Sequence, residues 1–302
     1  MKKSTILVLA FALLFGFAAC SKRNYTPSSN SRSTAPQNVP AQSVAPMQSA
    51  AATDTPNSEA DFSVGLTVDS KGVVITEYKG KATSVRIPAT IQGLPVKEIG
   101  KRAFYGSSGS LNEKITSVTI PEGVTKIGEE AFWGCESLRA VSLPDTLISI
   151  GERAFNSCWA LDSINLPAGL KEIGGLAFRT TGLTSISWPT GLTTIPSSAF
   201  SNTKLRNVTI PEGVTKIGET AFEDCENLAS VTLPSTIRIL GCRAFADCSS
   251  LTTIKIPETV KKIEFDFSYV GGDGAKNAFE GSHKLSLESQ AALRRVGYTG
   301  SF

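Results

Sequence analysis

Val118-Thr119-Ile120-Pro121-Glu122-Gly123-Val124-Thr125-Lys126-Ile127-Gly128-Glu129 recurs residue for residue from Val208 to Glu219, 90 residues further on. Pro121, Pro144, Pro167, Pro189, Pro211, Pro234 and Pro257 divide this stretch and its sequel into steps of 23, 23, 22, 22, 23 and 23 residues. Self-similarity at so short a period marks a solenoid. A unit of this size cannot bury its own apolar face, so coils must stack on one another, giving a long core and one extended regular surface. Surfaces of that kind suit binding more than chemistry.

Aligned on proline, the units read roughly L-x-x-V-x-L-P-x-x-V-x-x-I-G-x-x-A-F-x-x-C-x-x. Leu138/Val141/Leu143, Leu161/Ile164/Leu166, Leu183/Ile186/Trp188, Leu205/Val208/Ile210, Leu228/Val231/Leu233 and Leu251/Ile254/Ile256 carry its first part. The period-2 pair rich in β-branched residues predicts a short strand with its apolar side inward. Proline then stops it, having no N–H for a ladder. The Ile-Gly pairs, as at Ile127-Gly128 and Ile150-Gly151, predict a second short strand closed by a turn that uses glycine's freedom. Ala-Phe follows at 103/104, 131/132, 154/155, 177/178, 199/200, 221/222, 244/245 and 278/279. Small Ala before bulky Phe suits a single helical turn whose Phe plugs the core of each coil.

This pattern resembles the BspA-like class of bacterial leucine-rich repeats, also called the TpLRR class, over about residues 82–285. The resemblance implies a β-rich solenoid of about eight coils with short parallel strands and single helical turns. Insertions around Ser107–Lys114 and Glu264–Lys276 stretch the first and last units. Phe62 to Glu77 reads as a hairpin capping the N-terminal edge. Ser286 can N-cap a helix from about Leu287 to Val296, with Arg294 and Arg295 in its last turn and Gly297 at its stop.

Lys2 and Lys3, the apolar run Ile6 to Phe17, and Ala18-Ala19 before Cys20 predict an export signal. The run is shorter than the ~20 residues that span a bilayer comfortably. Phe17-Ala18-Ala19-Cys20 resembles a bacterial lipobox, with Phe17 in place of the commoner Leu; the resemblance implies lipid attachment at Cys20. From Ser21 to about Ala60 the chain turns to Ser, Thr, Ala, Asn, Gln and Pro and predicts a tether. The expected organisation is a signal peptide at 1–19, a tether at 20–60 and a capped repeat domain at 61–302.

Thirty basic and 27 acidic residues give a net charge of +3, with no basic stripe and no nucleic-acid-binding motif. Cys135, Cys158, Cys225 and Cys248 lie three residues after the repeat Phe; Thr181, Thr203 and Ser282 take the same place in other units. Spacings of 23, 67 and 23 residues follow the repeat and form no compact metal-ligand set. Small, partly buried, hydrogen-bonding thiols fit this slot, although strands ~4.8 Å apart leave neighbouring disulfides such as Cys135 to Cys158 open. Cys242 stands off the register.

His283 is the only histidine and has no nucleophile motif beside it, which argues against Ser-His and Cys-His enzymes. An all-carboxylate enzyme acting on polysaccharide would need a pair about 5 to 10 Å apart in a cleft. Glu122, Glu129, Glu212 and Glu219 instead fall at outward repeat positions. Gly271-Gly272-Asp273-Gly274 lacks the Walker lysine and the EF-hand spacing and reads as a loop. No cofactor or metal is called for.

Trp188 replaces an inward Leu or Ile and is expected in the core. Trp133, Trp159, Tyr105, Phe265, Phe267 and Tyr269 lie at noncore or inserted positions, where aromatics either pack on the stack or anchor a partner. The row Ser142, Asn165, Ser187, Thr209, Thr232 and Lys255, on successive strands, forms a nearly neutral face suited to an extended peptide or a glycan. The resemblance implies an exported lipoprotein at the outer membrane or cell surface that adheres to host matrix proteins or other cells. A periplasm-facing scaffold is the alternative.

Overall fold

The structure, a computed structural model, describes residues 55–105, 111–266 and 278–302. Its contacts divide the chain into Met1–Ala52 and Thr53–Phe302. The first unit, with the export signal and Cys20, lies outside the described residues, as do most of the tether, Phe267 and Tyr269.

The expected hairpin pairs β1 (Phe62–Leu66) with β2 (Val73–Tyr78) antiparallel. A first coil holds β3 (Ser84–Arg86), β4 (Thr90–Ile91) and β5 (Leu94–Ile99). Two strands per coil follow, β6 (Ser117–Thr119) with β7 (Lys126–Ile127) and β8 (Ala140–Ser142) with β9 (Ser149–Ile150). The coils of Pro167 and Pro189 keep one named strand each, β10 (Glu172–Ile173) and β11 (Thr194–Ile195). The last coils hold β12 (Asn207–Thr209) with β13 (Lys216–Ile217), β14 (Ser230–Thr232) with β15 (Ile239–Gly241), and β16 (Thr253–Lys255) with β17 (Glu264–Asp266). Helix α1 (Leu287–Arg295) closes the stack; Ser286 Oγ accepts from Ser289 N–H at 3.2 Å, and Gly297, at φ +103°, follows the C-cap. The solenoid, its hairpin and its helical cap stand as expected.

The strands stack in parallel as two walls. One carries β3-β6-β8 and β12-β14-β16; the other carries β2-β5-β7-β9-β10, led by β1, and β11-β13-β15-β17. Inward Val85, Val118, Val208, Val231 and Ile254 are all buried.

At the Ala-Phe pair the structure differs from a helical turn. The residue before Ala and the residue two after Phe both lie in the left-handed region, as at Arg153 (φ 54°) and Ser157 (φ 61°). Turning those two residues aims every second N–H along the stack: Arg153 donates to Gly175 O, Phe155 to Ala177 O and Ser157 to Arg179 O, at 2.8–2.9 Å. The same triplet joins Leu176, Phe178 and Thr180 to the next coil, and Thr220, Phe222 and Asp224 to the one after. A backbone ladder offsets the ~1–2 kcal/mol that a left-handed residue costs.

Behind this ladder the repeat phenylalanines form one column. Tyr78, Phe104, Phe132, Phe155, Phe178, Phe200, Phe222, Phe245 and Phe279 follow one another at centroid separations of 4.8–5.6 Å, their planes nearly parallel through the middle. Both caps extend it, Phe62 against Tyr78 and Tyr298 edge-on to Phe279. Each fully buried ring contributes about 1.5–3 kcal/mol of transfer free energy. The caps therefore match the stack chemically at each end.

The Ile-Gly glycine works by close approach and not, as expected, by conformational freedom. Gly151 has no positive φ, but a Cβ there would lie 2.7 Å from Glu129 N of the preceding coil. Its N–H donates to Ile127 O at 2.8 Å. In the coil of Pro189 the slot holds Pro196, which has neither the N–H nor the empty side. The wall accordingly breaks between β10 and β11. In the other wall only an isolated Asn165–Ser187 bridge marks this region. The Phe column and its ladder run through the seam unbroken.

Candidate functional site

The strand face divides into two columns with different chemistry. In the first, Ser117 Oγ donates to Ser84 Oγ at 2.8 Å, Ser230 Oγ to Asn207 Oδ1 at 2.7 Å, and Ser163 Oγ to Asp162 Oδ1 at 3.0 Å, while Ser185 makes no side-chain bond to another described residue. The second column holds the six sequence-derived candidates. Ser142, Asn165, Ser187, Thr209 and Lys255 are exposed and Thr232 half-buried. None of these six side chains makes a hydrogen bond to another described residue. Unspent donors and acceptors on a rigid sheet are what an extended ligand needs.

Register shows how far the row is continuous. Thr209 pairs with Thr232 and Thr232 with Lys255; Asn165 pairs with Ser187. Ser142 pairs backward with Thr119, and Thr119 with Arg86. The row therefore extends N-terminally to Thr119 and Arg86, both missed in the sequence although Val85 and Val118 align with Val141. Among the described residues no strand pairing joins Ser142 to Asn165 or Ser187 to Thr209, so the row falls into three registered groups.

Helix α1 walls the C-terminal end of this face. Ser289 Oγ accepts from Ile254 N–H at 3.0 Å, which fixes the helix against β16. Between them lies a groove of about 580 Å³ lined by Thr232, Lys255, Glu288, Ala292 and Arg295, among others. Its mixed lining and size fall within the ~300–1,000 Å³ of ligand clefts.

Other candidates resolve into structure. Cys135 donates its thiol to Phe104 O at 3.0 Å, Cys158 to Phe132 O at 3.1 Å, Cys225 to Phe200 O and Cys248 to Phe222 O, both at 3.2 Å. Each reaches back one coil, and Ser282 Oγ does the same to Phe245 O at 2.9 Å. Burial pushes Cys135 up to about 12 and Cys225 up to about 11, and raises Cys158 and Cys248 well above the usual thiol range. Cys242 is also buried, as a free thiol. Glu122 and Glu212 cap the next coil by accepting from Asp145 N–H and Ser235 N–H at 3.1 and 3.0 Å. Glu129 pairs with Lys101 at 2.8 Å, while Glu223, Asp247 and Glu280 converge on Arg243. Among the described residues no group of three or more His, Cys, Asp or Glu is placed to hold a metal ion.

Trp188 packs edge-on to Phe200 at 5.1 Å as a half-buried core residue, and its indole N–H is buried without a partner. Trp133 leans on Tyr105 at 4.7 Å, over which Arg102 sits at 5.3 Å. Trp159 alone of these stands exposed, at 60%.

The chain belongs to the BspA type of leucine-rich repeat proteins: the family profile described as "BspA type Leucine rich repeat region (6 copies)" matches residues 97–229 and 215–269. Among solved structures, the leucine-rich repeat protein TpLRR of T. pallidum shares 33% identity, with 82% of this chain and 99% of that one covered and a TM-score of 0.59. A leucine-rich repeat protein from Bacteroides capillosus shares 33% identity over 42% of this chain and 92% of that one, at a TM-score of 0.37. The pneumococcal vaccine antigen PcpA shares 21% identity over 74% of this chain and 78% of that one, at 0.45. No curated protein matches. Leucine-rich repeat proteins commonly serve protein–protein interaction, and the relatives found are repeat proteins. No helix among the described residues is long and apolar enough to cross a membrane.

Proposed function

We propose that this chain is an exported, lipid-anchored cell-surface protein whose strand face binds a protein partner, host matrix proteins or another cell's surface, in adhesion. The observation that carries the reading is the contrast between columns: first-column hydroxyls such as Ser117 and Ser230 bond within the protein, whereas Ser142, Asn165, Ser187 and Thr209 keep theirs unspent. The row, neutral from Thr119 to Thr232 with Arg86 and Lys255 at its two ends, suits main-chain and side-chain hydrogen bonds to an extended segment, and α1 limits its reach at one end.

Lys2, Lys3, Ile6 to Phe17 and Ala18-Ala19-Cys20 support export and acylation, with residues 20–60 as the tether that carries 61–302 away from the membrane. Family membership supports interaction in general, since fold alone does not set a ligand. The test is solid-phase binding of the purified protein to immobilised fibronectin and fibrinogen, with protease added to intact cells beside it. Saturable binding and loss of the protein from intact cells are expected. Protection until the outer membrane is opened would place the protein facing the periplasm.

A further inference from the structure

The following Leu stands six positions after the repeat Phe in the coils of Phe132, Phe155, Phe222 and Phe245, but five after it in those of Phe178 and Phe200. The missing residue makes these the two 22-residue units, and it is lost from the turn after the Cys slot. Where the preceding coil carries Cys158-Trp159-Ala160, the two short coils carry Thr181-Gly182 and Thr203-Lys204. Two consecutive turns thus draw back beside the last full-length one. Trp159 is left 60% exposed at the rim of a cavity of about 210 Å³ lined by Thr180, Thr181, Asn202 and Lys204.

The lining supplies three kinds of contact. Trp159 offers a broad apolar ring face with a polar edge. The Thr180 hydroxyl and the Asn202 amide make no side-chain bond to another described residue, whereas Thr181 has spent its hydroxyl on Phe178 O at 2.8 Å. Lys204 is exposed and has no carboxylate within ion-pairing distance among the described residues, Glu226 of the next coil included. The volume equals that of about seven waters and lies below the ~300–1,000 Å³ of drug-sized clefts, so the notch admits one ring.

We propose that this notch binds a single acidic sugar residue, its ring stacked on Trp159, its hydroxyls on Thr180 and Asn202, and its carboxylate on Lys204. A neutral sugar meets the same ring and amide but leaves the ammonium unpaired. The site uses none of the strand-face residues, so it stands or falls apart from that row.

Saturation-transfer NMR on methyl β-glucuronide and methyl β-glucoside, with the full chain as receptor, tests it. Transfer to the glucuronide should saturate in the millimolar range, about tenfold below the glucoside. Trp159→Ala should abolish transfer to both, with an unchanged circular dichroism spectrum because the indole is exposed. Lys204→Gln should bring the glucuronide to the glucoside's affinity and leave the glucoside where it was. No saturation of either sugar by about 50 mM, transfer retained in Trp159→Ala, or a glucuronide preference that survives Lys204→Gln would overturn the proposal. Binding of an N-acetylated Glu-Glu peptide without any sugar response would overturn it in favour of a peptide anchor.

Discussion

Phe155→Ala probes the column on which the whole stack rests. The ring is fully buried and lies 5.1 Å from Phe132 and 5.4 Å from Phe178, with planes tilted by 2° and 5°. Truncating a buried Phe costs about 3–5 kcal/mol in lost transfer energy and cavity. Two stacked pairs, each adding about 0.5–1.5 kcal/mol beyond area, put this site in the upper half of that range. The backbone bond from Phe155 N–H to Ala177 O survives the change, so the loss belongs to the ring. With about 2–4 °C per kcal/mol for a unit of this size, the melting temperature should fall by about 8–20 °C. Thermal unfolding followed by far-ultraviolet circular dichroism reads this directly. Ile148→Ala, at a residue 45% exposed, is the control and should cost less than about 1 kcal/mol. A Phe155→Ala melt within about 2 °C of wild type would show that the column is not what holds the coils together.

Gly151→Ala should lower the unfolding free energy read from urea denaturation by about 1–3 kcal/mol, because the new Cβ meets the backbone of the preceding coil; an unchanged midpoint would return this glycine to a role in chain freedom. In a Cys20→Ala chain the five remaining thiols should resist Ellman's reagent until denaturation and then titrate fully, and recovery of one would mean that the repeat thiols are paired. Burial raises the folded pKa of Cys135 to about 12 and of Cys225 to about 11. Their contribution is therefore whole below the unfolded value of about 8.5 and lost as pH rises towards 11–12, so stability should decline above about pH 9, and less so in a Cys135→Ala, Cys225→Ala variant. Metabolic palmitate should label wild type and not Cys20→Ala, and persistent label would remove Cys20 as the anchor.

Much of this fold is visible in the chain because each strand, Phe and thiol recurs at a fixed step, and a mistake in one unit is corrected by seven others. The helical cap was equally legible, Ser286 and Gly297 being strong local signals. The left-handed turns were not, since their first position holds Arg102, Glu130, Arg153 and Leu176, residues with no taste for that conformation. Their second position did carry a signal in Gly134, Asn202, Asp224 and Asp247. The seam went unread although Pro196 in the glycine slot carried its signal, because proline brings a ring where only hydrogen fits and removes an N–H. Which hydroxyls on the strand face are spent depends on register between coils, and no single unit contains that information. The exposure of Trp159 likewise depends on two later coils being one residue short.

The central claim, that the second column of the strand face binds the partner, is tested most directly by Ser187→Glu with Thr209→Glu on immobilised fibronectin and fibrinogen. Both side chains are exposed, so the circular dichroism melt should match wild type. Two carboxylates at the middle of a neutral row should repel an acidic partner and obstruct a flat one, and binding should weaken by about 2 kcal/mol, some 30-fold, or more. Equal binding by wild type and the folded double variant would contradict the claim.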